Sequence, residues 1–246
     1  MVNNLNNSHT SLKNLNKEFV LHHHLGLGDT IICNGLVNYL SNKYERIHLP
    51  VKTSNYKMID YLYSENPKVE LFEIENDTRE KDISFYADKN GYDILRVGYD
   101  QIKNTPFNVA FYKQLRIPYR YTYKYFYLPN SENLEVELKD HLVNYYGVNP
   151  NNYSLVHNEY QWPGGSYNLK EVNSQNSIFV TKESDIYKNL FLYRKVIEDA
   201  TSVHCINGSF LHLVERVKTK AKKYYHHTRK NNLHLANSWT FIDYED

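Results

Sequence analysis

A short apolar run, Phe19 to Leu21, passes through three histidines and a glycine turn, Gly26-Leu27-Gly28, straight into a helical pattern that opens at Asp29. A strand that turns through glycines onto a helix N-terminus leaves the first-turn N–H groups without intrahelical partners. The helix dipole favours negative charge there, so such a turn is a ready anion site. In this chain the helix start is itself an acid. An acid where a phosphate is expected points to chemistry beside a phosphate, not only to a phosphate cradle. His22-His23-His24 lies inside or at the end of the strand, with at least one ring facing inward toward the turn. His24, Gly26 and Gly28 are therefore candidates for substrate contact.

The rest of the first half keeps the same rhythm. The strand spans about Phe19 to His24, and the helix from Asp29 to Lys43 carries Ile32, Leu36, Val37 and Leu40 at helical spacing. A strand at Arg46–Val51, a helix at Tyr56–Tyr63, strands at Val69–Ile74 and Tyr92–Val97, and a helix from Phe107 to Leu115 follow. The last of these stops before Ile117-Pro118, as helices tend to do before proline. This βαβαβ order predicts a parallel sheet with helices on both faces.

Pro129 to Asn133 is a turn-rich break, Glu135 to Tyr146 reads as a helix ended by Gly147, and Asn149-Pro150-Asn151-Asn152 reads as a linker. A second αβ set follows. It has strands at Ser154–His157, Ser177–Thr181 and Ser202–Ile206, helices at Tyr187–Asp199 and Phe210–Val217, and a last strand at Lys223–His226. The expected organisation is a polar, disordered leader over residues 1–17, an N-terminal lobe over 18–130, a connecting helix and linker over 131–152, and a C-terminal lobe over 153–246. Each lobe has a strand, a glycine turn and a helix start, and two such lobes facing one another would leave a cleft.

Composition narrows the function classes. A net charge of +1 over 246 residues offers no nucleic-acid footprint. Lys218, Lys220, Lys222 and Lys223 read as a solvated helix end. The two cysteines, Cys33 and Cys205, are far apart inside apolar runs, without zinc-ligand spacing, so they read as buried free thiols and no metal site is expected. No apolar run approaches the ~20 residues of a membrane span and no signal peptide is visible, so the expected location is cytoplasmic, with no membrane span.

The motifs divide unevenly. Gly26-Leu27-Gly28 supplies G-x-G, but Ile31 stands where a dinucleotide fingerprint needs its third glycine, and Leu49-Pro50-Val51-Lys52-Thr53 lacks the ribose-binding acid. A nucleotide-dependent oxidoreductase is disfavoured on both counts, and no Walker loop occurs. Asp29 has two readings: a helix cap, or a general base that takes a proton from an incoming hydroxyl. Asn207-Gly208-Ser209, leading into Phe210-Leu211-His212, again places free N–H groups at a strand-to-helix turn, and His212 either faces the cleft or packs in the core. His157 ends a strand, where ligands of open α/β sheets gather. The loop after it, with Trp162, Pro163, Gly164, Gly165 and Ser166, is either a donor-side lid or a surface excursion. Lys182 and Glu183, just past a strand end, either meet the nucleotide or are solvated charges.

With these residues in view, the chain resembles the GT-B glycosyltransferases, and among them the ADP-heptose:lipopolysaccharide heptosyltransferase-like group of family 9. HHLGLGDTIICNGLVNYL resembles that group's opening strand, Gly-Asp turn and helix, and RIHLPVKTSNYKMIDYLYSENPKVELFEI its next strand–helix–strand. FNVAFYKQLRIPYRYTYKYFYLP is similar to its helix and proline-bounded crossover, and NLFLYRKVIEDATSVHCINGSFLHLVERV to its donor-side helix–strand–turn–helix.

The resemblance implies an α/β fold of two Rossmann-like lobes, with the second lobe trimmed because the chain is short for two full ones. It implies a nucleotide-diphosphate sugar as co-substrate, a glycan or glycolipid acceptor, and transfer without a cofactor or bound metal. Asp29 would be the catalytic base, and the N–H groups of Gly208 to Phe210, with His157 or Lys182, would stabilise the leaving diphosphate. The C-terminal turn departs from the group, which carries a longer Asp-Ser-Gly type sequence followed by histidine. A non-catalytic nucleotide-binding module of the same fold is the alternative reading.

Overall fold

The computed structural model describes residues 12–76, 80–99, 102–160, 164–229, 232–235 and 239–244. Most of the expected leader, and Trp162 and Pro163 of the expected lid loop, lie outside the described residues; Leu12–Asn14 form a single 3-10 turn. The chain divides into two compact units between Tyr127 and Leu128.

The first unit runs β1 (Glu18–His22), α1 (Leu27–Ser41), β2 (Arg46–Lys52), α2 (Tyr56–Tyr63), β3 (Val69–Ile74), α3 (Glu80–Asn90), β4 (Asp93–Arg96), α4 (Phe107–Gln114) and α5 (Tyr121–Lys124). Its four strands pair in the order β3-β2-β1-β4, all parallel. β1 sits inside the sheet, and Phe19, Val20 and Leu21 are all fully buried, as expected of a strand with helices on both faces. α5 lies against α1 because Gly35 has no side chain. A Cβ there would stand 2.5 Å from the Tyr121 carbonyl oxygen and 2.9 Å from the Thr122 Cα. The Tyr112 and Thr122 hydroxyls both donate to the Ile32 carbonyl from this side.

The second unit runs α6 (Glu132–Tyr146), β5 (Ser154–His157), β6 (Glu159–Tyr160), β7 (Gly165–Ser166), β8 (Ser177–Phe179), α7 (Arg194–Asp199), β9 (Ser202–Cys205), α8 (Ser209–Val214), β10 (Lys222–His227) and β11 (Trp239–Asp243). Five parallel strands pair in the order β11-β10-β9-β5-β8, and β6 and β7 form a separate antiparallel hairpin. Both units are thus Rossmann-like parallel α/β layers. Among the described residues the second sheet has one strand more than the first. Gly147 ends α6 at φ 63°, the left-handed cap expected of it.

Several expectations change. α1 starts at Leu27, so Asp29 is its third residue and Gly26 its N-cap. The helix expected from Tyr187 is a 3-10 turn at Leu190–Tyr193 followed by α7, because Asp185 accepts hydrogen bonds from the N–H groups of Tyr187, Lys188 and Asn189 and holds that stretch as a turn. α6, read from sequence as a connector, belongs to the second unit. Its Glu135 pairs with Arg194 at 2.9 Å, and the same guanidinium donates to the Leu128 and Pro129 carbonyls.

The lysine cluster is not a helix end: Lys222 and Lys223 begin β10, and the Lys223 ammonium lies over the Trp239 ring, 3.9 Å from Glu215. β10 is not the last strand, since β11 follows. Both cysteines are buried, and neither forms a disulfide. Among the described residues, no helix is long and apolar enough to cross a membrane.

Candidate functional site

Strand order locates the candidate sites. In the first sheet the chain leaves β1 toward β2 on one side and returns through α3 to β4 on the other, which makes the β1/β4 boundary a topological switch point. In open α/β sheets, ligands bind outside the carboxyl ends of the strands at such a point. The residues there are His22 to Gly26 after β1 and Val97 to Tyr99 after β4. The Val97 N–H donates to the His22 carbonyl, which carries the strand pairing to this edge.

The turn brings Asp29, His24, Gly26 and Gly28 together as the sequence suggests, but by a different geometry. The carboxylate of Asp29 folds back against the turn at Gly26, where the backbone N–H groups of Gly26 and Asp29 favour its charged form. The chain's own carboxylate therefore occupies the anion site read in this turn. Gly26 is needed for it: a Cβ there would lie 2.5 Å from Asp29 Oδ2. Burial pushes the Asp29 carboxyl up to about 6, against the nearby charges of His24 and Lys52 and the two backbone N–H groups. A carboxylate tuned to that range is suited to take a proton near neutral pH.

Around it stands an aromatic cluster that sequence reasoning missed. The Tyr99 hydroxyl is 2.7 Å from His22 Nε2, and the Tyr99 ring stacks on His24 at 4.5 Å between centroids. Phe111 meets the His24 ring edge-on, and His24 Nε2 lies 2.9 Å from the Gly98 carbonyl oxygen. Gly98 takes φ +89°, and a Cβ on it would stand 2.5 Å from Phe111 and 3.0 Å from His24. Burial, followed by the neighbouring Arg96, His23 and His24 charges, lowers His22 to about 3, so its ring is neutral. Tyr99 and Lys52 carried no pattern that could have flagged them. The glycine between Val97 and Tyr99 was the available signal.

The second sheet repeats the arrangement. β5 pairs with β8 on one side and β9 on the other, so its switch point is the β5/β9 boundary. There the Ile206 N–H donates to the His157 carbonyl, and Gly208 presents its backbone to the His157 ring: a Cβ at Gly208 would lie 3.0 Å from His157 Cε1. Gly208 is the N-cap of α8, and this turn, like that at Gly26, has no cap from its N-cap side chain. His157 Nδ1 is buried without a hydrogen-bond partner, and burial lowers the ring to about 4.

His157, Gly208 and Ser209 therefore converge, with Asn207 exposed beside them and the Phe210 ring fully buried 5.6 Å from the His157 ring. His212 is buried and neutral, pushed to about 3 by burial and then by Arg216, with Nδ1 unpartnered. Lys182 and Glu183 are exposed beyond β8, on the other side of β5 from this turn, where both act on the Glu159 carboxyl. Among the described residues no cluster of three or more His, Cys, Asp or Glu is arranged to hold a metal ion.

The chain shares its fold with a glycosyl transferase. The match is to the crystal structure of a glycosyl transferase family 9 protein from Veillonella parvula DSM 2008, with a TM-score of 0.58 and 9% identity. It covers 95% of this chain and 88% of that one. No family model matches the sequence, and no curated protein does. The likeness is one of fold, and it extends over nearly the whole length of both chains.

Proposed function

We propose that the protein is a glycosyltransferase that moves a sugar from a nucleotide-diphosphate sugar to a hydroxyl of a glycan or glycolipid. The observation that carries this reading is the match to a glycosyl transferase fold over 95% of the chain. In this reading the first unit takes the acceptor and the second the donor, as in a GT-B enzyme. Asp29 removes the acceptor proton while the acceptor oxygen attacks the anomeric carbon. The bond from that carbon to the diphosphate oxygen breaks, its electron pair leaves with the nucleoside diphosphate, and configuration inverts. The uncapped Gly208–Ser209 turn and His157 face the leaving group, and groups held ready for developing charge are usually the largest catalytic contribution. The raised Asp29 carboxyl supports the role of base.

One observation favours a second reading, a nucleotide-binding module without catalysis: the Asp29 carboxylate already serves its own helix. A thermal-shift series with UDP, GDP, ADP, CMP, dTDP and their sugar conjugates tests the donor, because a ligand bound only by the folded state raises the melting temperature. A selective shift with one nucleoside diphosphate is expected, and a flat series counts against the donor assignment. Asp29→Asn then separates the two readings: nucleotide binding with transfer abolished marks the base, whereas full turnover removes Asp29 from the chemistry.

A further inference from the structure

The first unit carries a polar cavity of about 350 Å³ at the opposite end of α1 from Asp29. Asn38, Ser41, Asn42, Asn66, Tyr125 and Tyr127 form most of its wall. At 1.5 Å per residue along the helix, Asn42 lies about 20 Å from Asp29.

The wall is held in place by its own hydrogen bonds. Asn66 Nδ2 donates to Asn38 Oδ1 at 2.9 Å and to Ser41 Oγ at 3.1 Å, while Asn66 Oδ1 accepts from the Lys68 N–H at 3.2 Å. Asn38 Nδ2 donates to Asn34 Oδ1 and to the Tyr125 carbonyl, each at 3.2 Å. These bonds fix which face each amide presents. The Tyr127 hydroxyl donates to the Glu65 carboxylate, which holds a ring that is 47% exposed. The exposed Asn42 amide is fixed by a bond to the Asn38 carbonyl.

The chemistry of this wall selects a ligand class. An apolar ligand would meet amides and a carboxylate on most sides. An anion would meet Glu65, while the one wall lysine, Lys68, already spends its ammonium on the Ser41 and Tyr44 carbonyls at 2.9 and 3.2 Å. A neutral polyhydroxylated ring fits both halves of the surface: hydroxyls pair with fixed amides and the carboxylate, and a C–H face lies on an exposed phenol ring. We propose that this cavity is a binding site for a neutral saccharide, separate from Asp29 and independent of the transferase reading.

Saturation-transfer NMR on the full chain, with maltotriose and N,N′-diacetylchitobiose as neutral probes and digalacturonate as an anionic one, tests this without any nucleotide. Transfer to at least one neutral probe is expected. It should persist in Asp29→Asn and fall at least about five-fold in both Tyr127→Ala and Asn42→Ala. Both substituted side chains are exposed, so an unchanged melting temperature serves as the folding control. No transfer to either neutral probe, equal transfer in the two wall variants, or a preference for digalacturonate would overturn the proposal. Because no donor is present, a failed transferase assay leaves this result standing, and the reverse also holds.

Discussion

The Asp29 carboxylate lies so close against Gly26, three residues before it in the turn that joins β1 to α1, that a Cβ there would stand 2.5 Å from Oδ2. One residue thus fills an anion site with its own charge and, being partly buried, keeps that charge near the point of protonation. The pair can be tested from either side.

Gly26→Ala places a methyl group where Oδ2 now lies, 2.5 Å away, so the carboxylate must swing off the turn. The Asp29 carboxyl should then titrate closer to the ordinary carboxylate range, read by carbon-13 NMR of the side chain. An unmoved titration would show that the turn does not position the carboxylate.

Asp29→Asn should stabilise the fold in a pH-dependent way. A carboxyl raised to about 6 in the folded state and near 4 in the unfolded chain costs the fold stability as pH rises through that interval. Below it, Asp29 is protonated in both states and the substitution should be neutral. Above it, the variant should melt higher, by about 1–2 kcal/mol after allowing for partial exposure. Paired melting curves at acid and neutral pH check the sign.

Gly98→Ala should be among the most damaging single substitutions in the first unit. It combines a left-handed backbone at φ +89° with a methyl group 2.5 Å from Phe111. The two penalties together should cost about 2–4 kcal/mol, measured as a shift in the urea midpoint.

The protein should lose stability in mild acid through its buried histidines, although the raised Asp29 carboxyl protonates in the same range. Burial is the first cause holding His22 and His212 near 3, and His23, His157, His204 and His226 near 4. These folded values lie below the unfolded one, so the stability they protect is complete above about pH 6.5 and drains away as pH falls toward 4. His204 and His226 share a hydrogen bond of 3.0 Å, with Tyr244 2.8 Å from the far nitrogen of His226, so protonating both rings sets two donors against each other and breaks a chain that reaches from β9 past β11. A melting temperature that stays flat between pH 7 and pH 5 would contradict this.

Local pattern located much of this fold. α2 at Tyr56–Tyr63, β3 at Val69–Ile74 and β5 at Ser154–His157 stand at the positions read from periodicity, because each lies between clear turn signals and has apolar residues at its own period. α3 escaped that reading: Ile83 and Ala87 are buried in the core with Tyr86 packed against it, and most of the helix's other positions are polar. β11 escaped it because its place is earned by pairing with β10 and by the Trp239 indole donating to the buried Glu215, neither of which is a local signal.

The candidate sites divide in the same way. Sequence alone determined that Asp29 follows a strand and a glycine turn, that Asn207-Gly208-Ser209 leads into a second helix, and that His157 ends a strand, since chain connectivity and glycine's tolerance of tight turns suffice for that. Only the tertiary structure decided that β1 borders β4 and β5 borders β9, which brings Tyr99 to His24 and Gly208 to His157 across long stretches of chain. It also decided that the carboxylate of Asp29 folds back against its own turn and titrates near 6. Strand order and burial are set by how apolar faces pack across the whole unit, and a carboxyl's proton affinity follows from the solvent that this packing removes.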